Sequence, residues 1–66
     1  MTITLNGKDH AVPSGCTISS LLRLLGLTDD RVAVELNRQI IRRDNWESTE
    51  VPASACVEIV QFVGGG

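Results

Sequence analysis

The chain closes on Gln61, Phe62, Val63, Gly64, Gly65 and Gly66. That end carries a chemistry that needs no side chain. Glycine has no Cβ, so three in succession make the thinnest thread a polypeptide can form. Fully extended, three residues span about 10 Å. That length carries a terminal carboxylate from a globular surface into the pocket of another protein. The carboxylate is ionised at neutral pH, with a reference pKa of about 3.5, and is a poor electrophile. To react, it must first convert one oxygen into a leaving group. Adenylation by ATP does this, and a sulfur or nitrogen nucleophile then takes the acyl group. The free tail is expected to be disordered, because ordering it costs about 1–2 kcal/mol per residue in backbone entropy. A partner must offset that cost with backbone hydrogen bonds and contacts to the body of the domain.

The other reactive side chains do not assemble into a site. His10 is the single histidine. It falls in the middle of an extended run, with no nucleophile–base pair around it, and is expected on a strand surface. Cys16 precedes a helix start, where a thiolate is favoured, yet it reads as a small buried or loop cysteine. Two cysteines without a CxxC spacing, plus one histidine, make no metal site. There is no phosphate loop. No catalytic residue and no bound cofactor are therefore expected, and any ATP would be used by a partner enzyme.

Composition narrows the class further. The 66 residues suit one domain, with a body over 1–63 and a tail over 64–66. A chain this short hides only about 60% of the surface its unfolded form exposes. The content of 42% hydrophobic and 21% charged residues suits a folded chain rather than a disordered one. The net charge is −2, and only Arg42 and Arg43 place positive charges side by side. Phosphate binding needs clustered Lys or Arg, and stacking on bases needs aromatics. Nucleic-acid binding is excluded on both counts. No apolar run approaches the roughly 20 residues needed to span a bilayer, and the start does not read as a signal segment. A cytoplasmic protein with reduced Cys16 and Cys56 is expected, although one disulfide remains compatible with the sequence.

The elements that must position the tail can be read in order. Ile3 and Leu5 alternate with Thr2 and Thr4, as in a half-buried strand. Asn6-Gly7 is a type I′ hairpin signal, so a second strand should run over about 8–12 and stop at Pro13. A helix of about nine residues follows. Thr17 is its N-cap, and Ile18, Leu21, Leu22 and Leu25 share one face. Gly26 and Leu27 supply the left-handed C-terminal residue and the apolar residue that packs back. Such a short helix must lie on a sheet to persist. Val32, Val34 and Leu36 mark a third strand, and Ile40 and Ile41 fit a short fourth. Residues 44–51 read as a turn with a fragment of helix, in which Trp46 plugs the sheet edge.

In the last strand Glu58 identifies the solvent face. Val57 and Ile59 should then face the helix, with Val60 and Phe62 on the outer face beside Glu58. This is an α+β arrangement, a four- to five-stranded sheet wrapped around one helix. The first and last strands should be parallel neighbours, with the helix on one face by the right-handed crossover rule. Exposed Val60 and Phe62 beside a functional terminus would form a docking surface for a partner.

The segments "VAVELN" and "NWES", with the ending "VEIVQFVGGG", resemble the ThiS family, the sulfur carriers of thiamine biosynthesis. "ITLNGK" and "TISSLLRLLGL" stand in the order that family shows, so the resemblance covers nearly the whole chain. It implies a ubiquitin-like β-grasp fold. It implies that Gly66 is adenylated by a ubiquitin-activating-type (ThiF-like) adenylyltransferase and converted to a terminal thiocarboxylate. The sulfur would come ultimately from cysteine through a desulfurase and would pass to a ThiG-like thiazole synthase. Gly65 and Gly64 match the penultimate and additional glycines of the family's tail. "VPASAC" departs from the acidic or Gly-Asp turn common there. Two other carriers of acyl chemistry fit the tail: the small subunit of molybdopterin synthase and a ubiquitin-like protein modifier. A plain interaction module with an inert tail is the remaining reading.

Overall fold

The computed structural model describes residues 1–27 and 31–62, while residues 28–30 and 63–66 lie outside the described set. The elements are β1 (Thr2–Leu5), β2 (Lys8–Ala11), α1 (Ile18–Leu24), β3 (Val32–Leu36), β4 (Gln39–Ile41), a 3-10 turn (Arg43–Asn45) and β5 (Cys56–Gln61). The five strands form one sheet in the order β2-β1-β5-β3-β4. β5 therefore lies in the middle, parallel to β1 and antiparallel to β3. One mixed sheet folded around one helix is the β-grasp arrangement expected from the sequence.

The first hairpin forms where Asn-Gly stands. Asn6 and Gly7 have φ of 49° and 83°, the left-handed pair that a type I′ turn needs. β2 ends at Ala11, one residue short of the expected limit, while Val12 turns inward and is buried.

The helix is shorter than expected, seven residues rather than nine. Both ends are chemically closed. At the start, Ser20 N–H donates to Thr17 Oγ1 and Thr17 N–H donates to Ser20 Oγ, a reciprocal capping box. The loop after the 3-10 turn satisfies two further orphan donors. Ile18 N–H reaches the Thr49 carbonyl and Ser19 N–H reaches the Trp46 carbonyl. At the other end, Gly26 N–H donates to Arg23 and Leu27 N–H to Leu22, with Gly26 at φ 73°. This is the Schellman pattern, and it leaves Leu25 as a half-buried cap rather than a helical core residue. Ile18, Leu21 and Leu22 bury the helix against Ile3, Leu5, Val34, Val57 and Ile59 in a single core.

A second type I′ turn joins β3 to β4, and the sequence carries no glycine there. Asn37 and Arg38 sit at φ 50° and 72°. Asparagine tolerates this region because its short amide hydrogen-bonds locally, whereas arginine does not. Arg38→Gly is expected to stabilise the protein by about 0.5–1 kcal/mol, after allowing for the extra freedom glycine gains when unfolded. That corresponds to a melting midpoint raised by about 4–7 °C. A thermal melt showing a lower midpoint would contradict the strain assigned to Arg38.

Trp46 is half-buried against the core, and its indole Nε1 donates to the Ile41 carbonyl at 2.9 Å. It closes the gap between the β4 edge and the helix, as expected of an edge plug. The Arg43 guanidinium lies 5.4 Å from its ring centroid, within cation–π range. The divergent turn before β5 places Ser54 at φ 62°, with Ser54 N–H bonded to the Thr2 carbonyl at 3.0 Å. Serine thus holds a left-handed position that glycine or asparagine would occupy more easily.

Candidate functional site

The candidate site is the exit of β5, because that strand leads directly to the glycines. Gly64, Gly65 and Gly66 themselves lie outside the described residues. What can be read is how the strand before them is held.

On one side β3 pairs with β5 along its whole length, from Leu36 opposite Val57 to Val32 opposite Gln61. The pairing continues one residue further, where Phe62 N–H donates to the Arg31 carbonyl at 2.8 Å. At the other end of the strand, Asn37 N–H donates to the Cys56 carbonyl and Cys56 N–H donates to Asn37 Oδ1. The β3 side is thus bonded from Cys56 to Phe62.

The β1 side differs. Backbone pairing runs only through Thr4 opposite Cys56 and Leu5 opposite Val57. Asn6 N–H then donates to the Val57 carbonyl at 2.9 Å. Past that point the Asn6 side chain takes over. Ile59 N–H donates to Asn6 Oδ1 at 2.8 Å, and Asn6 Nδ2 donates to the Ile59 carbonyl at 3.2 Å. A carboxamide presents one acceptor and one donor side by side, so it mimics one more peptide unit of β1 after the chain has turned away.

The faces of β5 are those the alternation predicted. Val57 and Ile59 are buried, while Val60 and Phe62 are each 56% exposed on the face away from the helix. Ala33 lies opposite Val60, and Glu35 lies opposite Glu58. Glu35 also pairs with Ile40, which is 74% exposed. Ile40 thus joins Val60 on the outer face. Sequence reading placed Ile40 in a strand without assigning its face, because a three-residue strand is too short for alternation to decide.

The remaining candidates are separate from this exit. Cys16 is buried and Cys56 exposed, and both are free thiols. Cys16 lines a cleft of about 390 Å³ with Pro13, Ser14, Ser20, Arg23 and Leu24, none of which belongs to β5. His10 is exposed on the edge strand β2. No group of three or more His, Cys, Asp or Glu able to hold a metal occurs among the described residues. No helix among them is long and apolar enough to cross a membrane.

Comparison with known proteins bears on this geometry. The sequence model of the ThiS family matches residues 3–66, including all three terminal glycines. The sulfur carrier protein ThiS of Bacillus subtilis (strain 168) is 38% identical over 65 residues, covering 97% of this chain and 98% of that protein. A thiazole synthase of Magnetococcus marinus is 36% identical over 66 residues, covering all of this chain but 20% of that protein. The thiazole synthase of Paramagnetospirillum magneticum is matched likewise, at 33% identity and 20% of its length. The chain thus spans about a fifth of these two relatives. The crystal structure of a thiamine biosynthesis protein (ThiS) from Geobacter metallireducens superposes with a TM-score of 0.85 at 33% identity, each chain fully covered.

Proposed function

The chain belongs to the ThiS family, and from that premise we propose that it carries sulfur in thiamine biosynthesis on the carboxyl group of Gly66. The observation that carries this reading is the family match running through the glycine tail, together with a body that fixes the strand leading into it. The chemistry follows from the terminus. A ThiF-like adenylyltransferase transfers AMP from ATP to the Gly66 carboxylate and releases pyrophosphate. A persulfide, its outer sulfur supplied from cysteine through a desulfurase, displaces AMP to give an acyl disulfide, and a thiol then reduces the S–S bond, releasing the thiocarboxylate and a disulfide. The carrier supplies position rather than catalysis. It brings a thin acyl end to each partner and contributes no acid, base or cofactor of its own. A cytoplasmic setting fits this role.

The acceptor is a thiazole synthase. Support comes from the two relatives named thiazole synthase, whose chains include a region similar to the whole of this one. The region and the enzyme that uses it then travel as one molecule in those proteins. The molybdopterin-type and modifier readings have no comparable support among these relatives.

Intact-protein mass spectrometry tests the reaction class. After incubation with ATP, an adenylating enzyme and a sulfur donor, one oxygen of the C-terminal carboxylate should be exchanged for sulfur. An unchanged mass under conditions that charge the Bacillus subtilis relative would contradict the proposal. Restoration of thiamine-independent growth in a carrier-deleted strain then tests the pathway.

The outer face beside the tail is the docking surface in this reading. Val60, Phe62 and Ile40 expose apolar area that no strand or helix among the described elements covers. Burying a phenylalanine side chain contributes about 1.5–3 kcal/mol, so Phe62→Asp should weaken partner association by about tenfold or more. Stability should stay within about 0.5 kcal/mol, since Phe62 is already exposed. Normal sulfur loading and partner affinity in a folded Phe62→Asp protein would remove this face from the interface.

A further inference from the structure

The two edges of β5 are not equivalent at the tail end, and the difference can be followed bond by bond. Phe62 N–H donates to Arg31 and the Cys56 carbonyl accepts from Asn37. The even-numbered residues of β5 therefore direct their peptide groups toward β3, because N–H and C=O of one strand residue point the same way. The odd-numbered residues direct theirs toward β1. This is consistent with Asn6 reaching Val57 through its backbone and Ile59 through its amide. Gln61 is the next odd residue, and its N–H and C=O face the lane that β1 has left. The chain has turned back at Asn6-Gly7, and the Asn6 amide reaches no further than Ile59.

Beside this open lane lies a notch of about 270 Å³, lined by Leu5, Asn6, Leu25, Leu27, Ile59 and Gln61. Leu25 and Leu27 are only half-buried. The Schellman turn ends the helix there, and no helical residue among those described extends over that end of the sheet. A main-chain donor and acceptor on one side and an aliphatic notch beneath are the two recognition elements of strand addition.

We propose that an extended segment of the thiazole synthase enters the lane vacated by β1. It pairs its backbone with Gln61 and lowers one aliphatic side chain into the notch between Leu25, Leu27 and Ile59. The inference rests on the functional reading above and specifies how that partner grips the root of the tail. Gln61 stands three residues before Gly64 in the sequence, so a segment pairing with it grips the chain close to the reactive end. This contact is distinct from the outer face. It engages the edge and the helix-side notch, whereas Val60 and Phe62 point the other way.

The test removes the Gln61 N–H without touching the β3 ladder. Proline is tolerated where a strand N–H has no partner, so Gln61→Pro should fold with an unchanged melting midpoint. Its affinity for the thiazole synthase of the same organism, measured by calorimetry with the full-length carrier, should fall about tenfold or more. A lost main-chain hydrogen bond that strands its partner carbonyl has an effect of that size. Gln61→Ala keeps the N–H and loses only a notch-lining side chain, so its loss of affinity should be clearly smaller than that of the proline variant. In hydrogen exchange followed by NMR, the Gln61 amide should exchange quickly in the free protein and slow markedly in the complex.

If proline disturbs the fold, N-methyl-Gln61 replaces it. Cys56 permits ligation of a synthetic peptide beginning at that residue to a thioester ending at Ala55. Wild-type affinity in the N–H-blocked protein, equal losses in the proline and alanine variants, or a Gln61 amide that exchanges no more slowly in the complex would each overturn the strand-addition proposal. A carrier that shows any of these yet still accepts and delivers sulfur keeps the functional reading intact. A carrier that never acquires a thiocarboxylate overturns both.

Discussion

Removal of Gly66 is expected to abolish loading of the carrier while leaving its melting midpoint unchanged. In the proposed reaction one group is read, the terminal carboxylate, and one of its oxygens must come within bonding distance of the α-phosphorus of ATP on the adenylating enzyme. Each tail residue contributes up to about 3.3–3.6 Å of reach. Deleting one withdraws the carboxylate by that distance whenever the body is docked as before. Misplacement of a reacting group by about 1 Å already costs on the order of 100-fold, so the loss in loading rate should be at least that large. An alanine appended after Gly66 should be as damaging. It adds a residue of length and a Cβ, and it moves the reactive carboxylate from Gly66 to an alanine. The fold should be indifferent to either change, because the last buried core residue among those described is Ile59. Loading is followed by intact mass and folding by thermal melt. A shortened chain that is charged at the normal rate would show that loading does not depend on Gly66, and one that is never charged yet keeps its function in vivo would make the domain an interaction module.

How much of this was legible in the sequence depended on whether a local rule and the tertiary context agreed. At Asn6-Gly7 they agreed, because both residues favour positive φ, and the hairpin lies where the pair stands. At Asn37-Arg38 the same turn forms against the local preference of arginine. Antiparallel pairing of Glu35 with Ile40 and Leu36 with Gln39 imposes it, and no residue-level signal announces it. The helix cap was readable in full, since Gly26 and Leu27 each have a chemical reason for their place. The helix length was not, because the Schellman turn takes Leu25 out of the helix while keeping it near the core.

The exit of β5 shows the same division. Glu58 settled the facing of Val57, Ile59, Val60 and Phe62, since strand alternation leaves a single register once one side chain must face water. The Asn6 amide and the open lane beside Gln61 could not be read that way. They arise from two segments more than fifty positions apart in sequence, and a turn motif says nothing about what its side chain reaches. Asn6 therefore has two roles, one local and one long-range, and only the local one is written in the dipeptide.

The scaffold beneath the tail depends most on one helix contact, and Leu21→Ala should expose that dependence. α1 has seven residues, too few to form a stable helix alone in water. It exists because Ile18, Leu21 and Leu22 are driven into the sheet, and Leu21 is fully buried at 0% exposure. Truncating a buried leucine to alanine costs about 2–5 kcal/mol, through lost transfer energy plus the cavity left behind. At about 0.05–0.15 kcal/mol per residue, a chain of 66 residues has a total stability of about 3–10 kcal/mol. The single substitution should therefore remove from about a fifth to all of it. Urea titration read by Trp46 fluorescence suits the measurement, because Trp46 packs against the core and its carbonyl accepts from Ser19 N–H in the first turn of the helix, so it senses release of the helix. Leu24→Ala is the matched control: the same atoms are lost from a side chain that is 60% exposed, and the change should stay within about 0.5 kcal/mol. If both variants unfolded at the same urea concentration, the helix would not be anchored through the face described. If Leu21→Ala unfolds early as expected, its sulfur loading should fall in proportion to the folded fraction and no further. The helix then serves the chemistry only by keeping β5, and the tail that follows it, on a rigid base.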